Sequence, residues 1–110
     1  MTNLSRFGEL IRNKRKEKGY TLELVAQKLK IDPSTLCKIE KKERNASKEL
    51  VLKLSWVLEI DETELLISFL SDKVANEIWQ ENHFEEVLKI AGEKIKYLKT
   101  VNVEQGKINF

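Results

Sequence analysis

Asp32-Pro33-Ser34-Thr35-Leu36-Cys37-Lys38-Ile39-Glu40 predicts a short helix with a sharply marked start. An Asp ahead of a helix can accept from the orphan N–H groups of the first turn, and Pro at the first helical position loses no hydrogen bond. Leu36 and Ile39 share one face, while Ser34, Thr35, Cys37 and Lys38 fall largely on the others. The segment therefore buries two aliphatic side chains and turns small polar groups and a cation toward solvent. Just upstream, Thr21 can cap a helix of about two and a half turns, with Leu22, Val25, Ala26 and Leu29 as its buried stripe. That helix stops before Ile31.

The same 3.6-residue periodicity extends in both directions, and no run alternates long enough for a strand, so the chain reads as all-α. A first helix is expected from about Leu4 to Lys18, with Leu4, Phe7, Leu10 and Ile11 inward and Gly19 supplying a left-handed exit. Ser47 caps a fourth helix carrying Leu50, Val51, Leu54, Val57 and Leu58. Asp61-Glu62-Thr63-Glu64 opens a fifth as a capping box. Ser71 or Asp72 is expected to start a sixth, burying Val74, Ile78 and Trp79 and ending near Asn82. A seventh runs from about Phe84 to Lys99, where Phe84, Leu88, Ala91, Ile95 and Leu98 repeat at heptad spacing. Such a seam suits packing on the chain's own core and pairing with a second copy equally well. Val101 to Phe110 reads as a frayed tail, with Ile108 and Phe110 able to dock.

Composition narrows the function classes. The chain has 110 residues, is 41% hydrophobic and 35% charged, and has one Pro and four Gly. That is too apolar for disorder, too charged for a membrane span, and enough for one small core. Met1 to Arg12 lacks the apolar region of a signal peptide, so a cytoplasmic location is expected. One cysteine, Cys37, and one histidine, His83, exclude an intramolecular disulfide and a zinc site of Cys/His type. No metal or cofactor is expected. Glu77, Glu81, Glu85 and Glu86 recur at helical spacing as solvated faces do, and neither a phosphate-cradling glycine loop nor a nucleophile–His pair is present. The chain does not read as an enzyme.

Charge is divided unevenly. Residues 1–48 carry 13 Lys/Arg against 6 Asp/Glu, and residues 49–110 carry 7 against 12. A basic half of this size is either the footprint of a polyanion partner or a solvated basic surface, and charge alone does not distinguish DNA, RNA and anionic membrane. Geometry adds the missing information. Two short helices joined by a tight turn, the second polar outside and flanked by Lys/Arg, meet the requirements of a helix-turn-helix. The major groove admits one helix, and residues near its N-terminal end lie closest to the base edges.

The stretch from Phe7 to Leu66, a little over half the chain, resembles the five-helix Xre (lambda repressor and Cro-like) helix-turn-helix domain. The resemblance rests on Phe7, Gly8, Ile11, Arg15, Gly19, Thr21 and Ala26 in helices 1 and 2. It continues through Ile31, Ser34, Thr35, Ile39 and Glu40 in the recognition helix and Arg44, Asn45 and Ser47 in the following loop and cap. It implies a structural ion pair between Arg15 and Glu40. Three departures stand out: Leu22 where the family commonly has a phosphate-contacting Gln, Lys30 and Lys42 where glycines are usual, and Ala46 where Pro is frequent. The resulting expectation is a lambda repressor-like DNA-binding domain over residues 1–70. Two additional helices over residues 71–110 would serve dimerisation.

On this reading Pro33, Ser34, Thr35, Cys37 and Lys38 face the major groove, with base-edge readout chiefly from Ser34, Thr35 and Lys38. Thr21, Lys41, Lys42, Arg44 and Asn45 suit phosphate contacts, with solvated loop charges as the alternative; Arg12 and Lys14 are weaker candidates. Phe84, Leu88, Ala91, Ile95 and Leu98 are the candidate dimer interface. Cys37 reads as a small semi-buried thiol in preference to a redox sensor. His83 caps or lies on a helix surface, and Trp56 and Trp79 read as core or interface aromatics. The function implied is a sequence-specific double-stranded-DNA-binding transcriptional regulator. It would be a repressor or controller, acting as a homodimer on a palindromic operator and similar to restriction-modification controllers. The alternative is an antitoxin-like interaction protein whose C-terminal helices bind a protein partner.

Overall fold

The computed structural model describes residues 6–105, with side chains through Val101. Six helices occur among them: α1 Phe7–Glu17, α2 Leu22–Leu29, α3 Pro33–Glu40, α4 Lys48–Leu58, α5 Glu62–Ile78 and α6 Phe84–Gln105. Met1–Ala75 and Asn76–Phe110 form two compact units. The core of the first draws on every helix in it. Ile11, Val25, Leu36, Val51, Leu54 and Leu65 are fully enclosed, and Leu29, Ile39 and Leu58 nearly so. At its edge Phe7 meets Phe69 edge to face, ring centroids 5.2 Å apart, and Lys73 lies over the other ring at 4.5 Å.

Helix ends follow local chemistry at most positions. Thr21, Ser47 and Asp61 each accept from the backbone N–H three residues on, Leu24, Leu50 and Glu64, at 3.1, 3.1 and 2.9 Å. Four helices close with the same pair of reversed bonds. After α1, Tyr20 N–H reaches the Arg15 carbonyl and Gly19 N–H that of Lys16; Ile31, Glu43 and Ile60 repeat the longer bond after α2, α3 and α4. This motif requires a left-handed residue. Gly19 provides it at φ 72°, whereas Lys30, Lys42 and Glu59 adopt it at φ 60°, 66° and 55°. Lys30 and Lys42 thus hold a backbone geometry that glycine adopts without strain.

Several expectations are corrected. Asp32 makes no side-chain cap bond to α3, although Pro33 does open that helix. No helix begins at Ser71 or Asp72, because α5 runs through both. The Ser71 hydroxyl donates back to the Ser68 carbonyl at 3.1 Å, and the Asp72 carboxylate accepts from Phe7 N–H at 2.9 Å. Asp72 therefore caps a helix start, but that of α1, where Arg6 offers no side-chain cap. One helix, α6, follows α5 where two were expected after residue 70. Val74 is not buried and Ile78 only half so; Trp56 and Trp79 are 70% and 71% exposed and are not core residues. Val101 lies within α6 and not in a frayed tail; Leu4, Gly106, Ile108 and Phe110 lie outside the described residues.

Candidate nucleic-acid interface

The burial pattern of α3 sorts its side chains by chemistry. Leu36, Ile39 and Glu40 are buried; Pro33, Ser34 and Lys38 are exposed; Thr35 and Cys37 are half-buried. At 100° per residue, Pro33, Cys37, Lys41, Ser34 and Lys38 occupy one contiguous arc, with Leu36 and Ile39 on the far side and Glu40 next to its Pro33 edge. Thr35 sits at its margin. Ser34 and Lys38, one turn apart, share a line along the helix. Four of the five groove candidates, Pro33, Ser34, Cys37 and Lys38, thus form a single outward strip with Thr35 beside it, and Thr35 and Cys37 are less accessible than the others.

Two contacts hold that strip in place. Arg15 of α1 donates from Nε to Glu40 Oε2 at 2.8 Å and from Nη2 to Oε1 at 3.0 Å, both partners being buried. Its Nη1 donates to the Tyr20 carbonyl at 2.9 Å. The Glu40 bond, aided by the opposite charge, raises the Arg15 pKa above its ordinary value against the opposing effect of burial. The second contact is steric. Gly8 lies against the end of α3, and a Cβ there would overlap the Glu40 carbonyl oxygen. A buried fork and a missing side chain together set the distance and rotation of α3 against α1.

The phosphate candidates are exposed without exception. Thr21 uses a hydroxyl lone pair to cap α2 and keeps its O–H for another acceptor. Lys41, Lys42, Arg44 and Asn45 occupy the segment between α3 and α4, whose turn is closed by Glu43 N–H on the Lys38 carbonyl at 2.8 Å. Arg12 is exposed as well, whereas Lys14 lies 3.8 Å from Glu17. Leu22 is half-buried and packs on the core, and Ala46 is buried, so neither offers a polar group to a phosphate. A surface bond ties Lys18 to Glu59 at 2.6 Å, raising the lysine's pKa and lowering the carboxylate's. Among the described residues, no cluster of three His, Cys, Asp or Glu side chains is arranged to hold a metal, and no helix is long and apolar enough to cross a membrane.

In the second unit, the seam on α6 is open to solvent. Phe84, Leu88 and Ile95 are 43%, 44% and 52% exposed, and Ala91 and Leu98 are half-buried. Sequence reasoning missed a neighbouring track: Val87, Ile90 and Tyr97 are exposed too. Counting on from Val87 by steps of three and four would have found it, since Lys94 alone interrupts it. His83 is exposed, and its backbone carbonyl accepts from Val87 N–H at 3.0 Å. In the first unit α5 shows Ile67, Leu70 and Val74 on its outer side, also exposed.

Comparison with known families places this geometry. Residues 11–65 match the family model HTH_3, described as helix-turn-helix. The match begins within α1, includes α2, α3 and α4, and ends inside α5. No curated protein and no solved structure matches the chain.

Proposed function

The chain belongs to the HTH_3 helix-turn-helix family, a generally non-enzymatic family of DNA-binding regulators, and on that footing we propose that it is a homodimeric repressor or controller. It would bind a palindromic operator in the cytoplasm, in the manner of restriction-modification controllers. One observation carries the reading: Ser34 and Lys38 project from α3 one turn apart while the opposite face is clamped through Leu36, Ile39 and Glu40. A helix fixed on one side and polar on the other is what the major groove admits. Pro33, Ser34, Thr35, Cys37 and Lys38 then read base edges. Thr21, Lys41, Lys42, Arg44 and Asn45 hold phosphates and set the register. A single domain of this size makes few contacts, and two related by a dyad supply the rest.

The second reading is an antitoxin-like protein, favoured by the open apolar face of α6, which a foreign protein would cover. Selection of bound fragments from the parent genome, together with light scattering of the free protein, tests both. The repressor reading expects enrichment of two-fold symmetric sites with half-sites about 34–36 Å apart and a dimeric mass. It is overturned if no fragment is enriched over random DNA. A monomer that binds DNA without symmetry turns the argument to the second reading.

A further inference from the structure

No described side chain of α6 is buried, yet about half the helix circumference is apolar once the tracks Phe84-Leu88-Ala91-Ile95-Leu98 and Val87-Ile90-Tyr97 are joined. Helices in proteins owe most of their stability to packing of such a face. Before its midpoint α6 carries a residue with no side chain. Gly92 has no left-handed backbone to require a glycine, and a Cβ added there would meet nothing within 4 Å. After Pro, Gly is the poorest helix former, so the first explanation for it is the close approach of a second backbone. Ala91 precedes it on the seam.

Charge changes sign at the same point. Glu85 and Glu86 outweigh Lys89 before Gly92, and Lys94, Lys96 and Lys99 outweigh Glu93 after it; at the positions flanking the seam the contrast is Glu85 against Lys94 and Lys99. We propose that α6 packs antiparallel on α6 of a second copy, crossing beside Gly92. The proposal rests on the homodimer reading above and specifies its geometry. In this register Leu88 layers with the partner's Leu98 and Ala91 with the partner's Ile95. Glu85 flanks the partner's Lys99, twice by symmetry. Gly92 flanks the seam and faces its own copy beside the axis, where the absence of side chains lets the backbones approach. The parallel arrangement instead sets Lys94 beside the partner's Lys99 in both copies, a like-charge contact at the flanking positions that select orientation. Antiparallel pairing leaves Lys94 facing its own copy near the axis, and lysine stems splay such charges into water.

Cross-linking of the full chain in a Cys37→Ser background reads the orientation directly. Glu85→Cys and Lys99→Cys proteins, mixed and mildly oxidised, are expected to give disulfide-linked dimers that neither gives alone. In the antiparallel pair the two copies of position 85 stand about 24 Å apart, beyond disulfide reach. Glu85→Lys is expected to weaken the dimer about tenfold, and adding Lys99→Glu to restore it. Cross-linking of Glu85→Cys to itself overturns the antiparallel arrangement. So does a dimer in which the mixture fails to cross-link and the charge reversals change nothing, with the homodimer reading left intact. A wild-type chain that stays monomeric by light scattering removes the homodimer reading as well.

Discussion

Glu40, the last residue of α3, is gripped by Arg15 of α1 through both carboxylate oxygens, and the third arm of the same guanidinium bonds the Tyr20 carbonyl. The fork thus joins three points: the candidate reading helix, the first helix, and the turn leading to the second. Breaking a buried pair by removing one partner strands the other charge. Glu40→Ala should therefore cost about 3–5 kcal/mol in urea unfolding, whereas Arg15→Met combined with Glu40→Leu should lose far less. An equal loss in the single and double variants would show that the fork contributes only packing.

Gly8 tests the steric half of the same arrangement. Its nearest obstacles are the backbone carbonyls of Glu40 and Ile39, which cannot move aside as a side-chain tip can. Gly8→Ala is expected to destabilise by about 1–3 kcal/mol despite alanine's better helix propensity. It should also weaken DNA binding in the folded fraction, because α3 must shift outward. A gain in melting temperature would contradict the overlap.

Lys30 and Lys42 trade backbone comfort for charge. Each holds a left-handed conformation that costs a side-chain-bearing residue about 1 kcal/mol, so Lys30→Gly and Lys42→Gly should each raise stability by about that amount. Lys42→Gly should at the same time weaken DNA binding and lower the slope of log affinity against log salt by about 1, as loss of one phosphate contact does. Stability and affinity measured on the same protein separate the two effects.

Lys38 and Arg44 should fail in different ways. Lys38→Ala is expected to relax discrimination between operator variants by about 1–3 kcal/mol. Arg44→Ala should weaken all sequences alike and flatten the salt dependence. Competition binding with operator and random duplexes decides it, and equal losses on both for Lys38→Ala would remove that side chain from base readout.

What the sequence revealed was whatever neighbouring residues dictate. Pro33 at the head of α3, the caps Thr21 and Ser47, and the inward set Val25, Leu29, Leu36 and Ile39 are all set within a turn or two of chain. The outward arc from Ser34 to Lys38 follows from the same spacing. Asp72 was misread because its acceptor role is satisfied 65 residues away, and no local pattern distinguishes a carboxylate that starts its own helix from one that serves another. Asp32 was misread in the opposite sense, since its position promised a bond that the side chain does not make. Trp56 and Trp79 show a third kind of outcome: of the two readings, core or interface, exposure removes the core, because burial depends on which helix faces meet and aromatic size alone does not decide it.

The family pattern stops at residue 65, but the physical edge of this domain lies farther on. Phe69 and Asp72, one turn apart on α5, hold the ring and the amide of Phe7. A chain shortened to end at Leu70 would keep every residue proposed to touch DNA and still release α1 at its first turn. A chain ending at Ala75 would not. Amide exchange at Phe7 should be fast in the shorter protein and slow in the longer one. The frontier of the helix-turn-helix module is thus drawn by a latch between its opening residue and a helix beyond the recognisable motif.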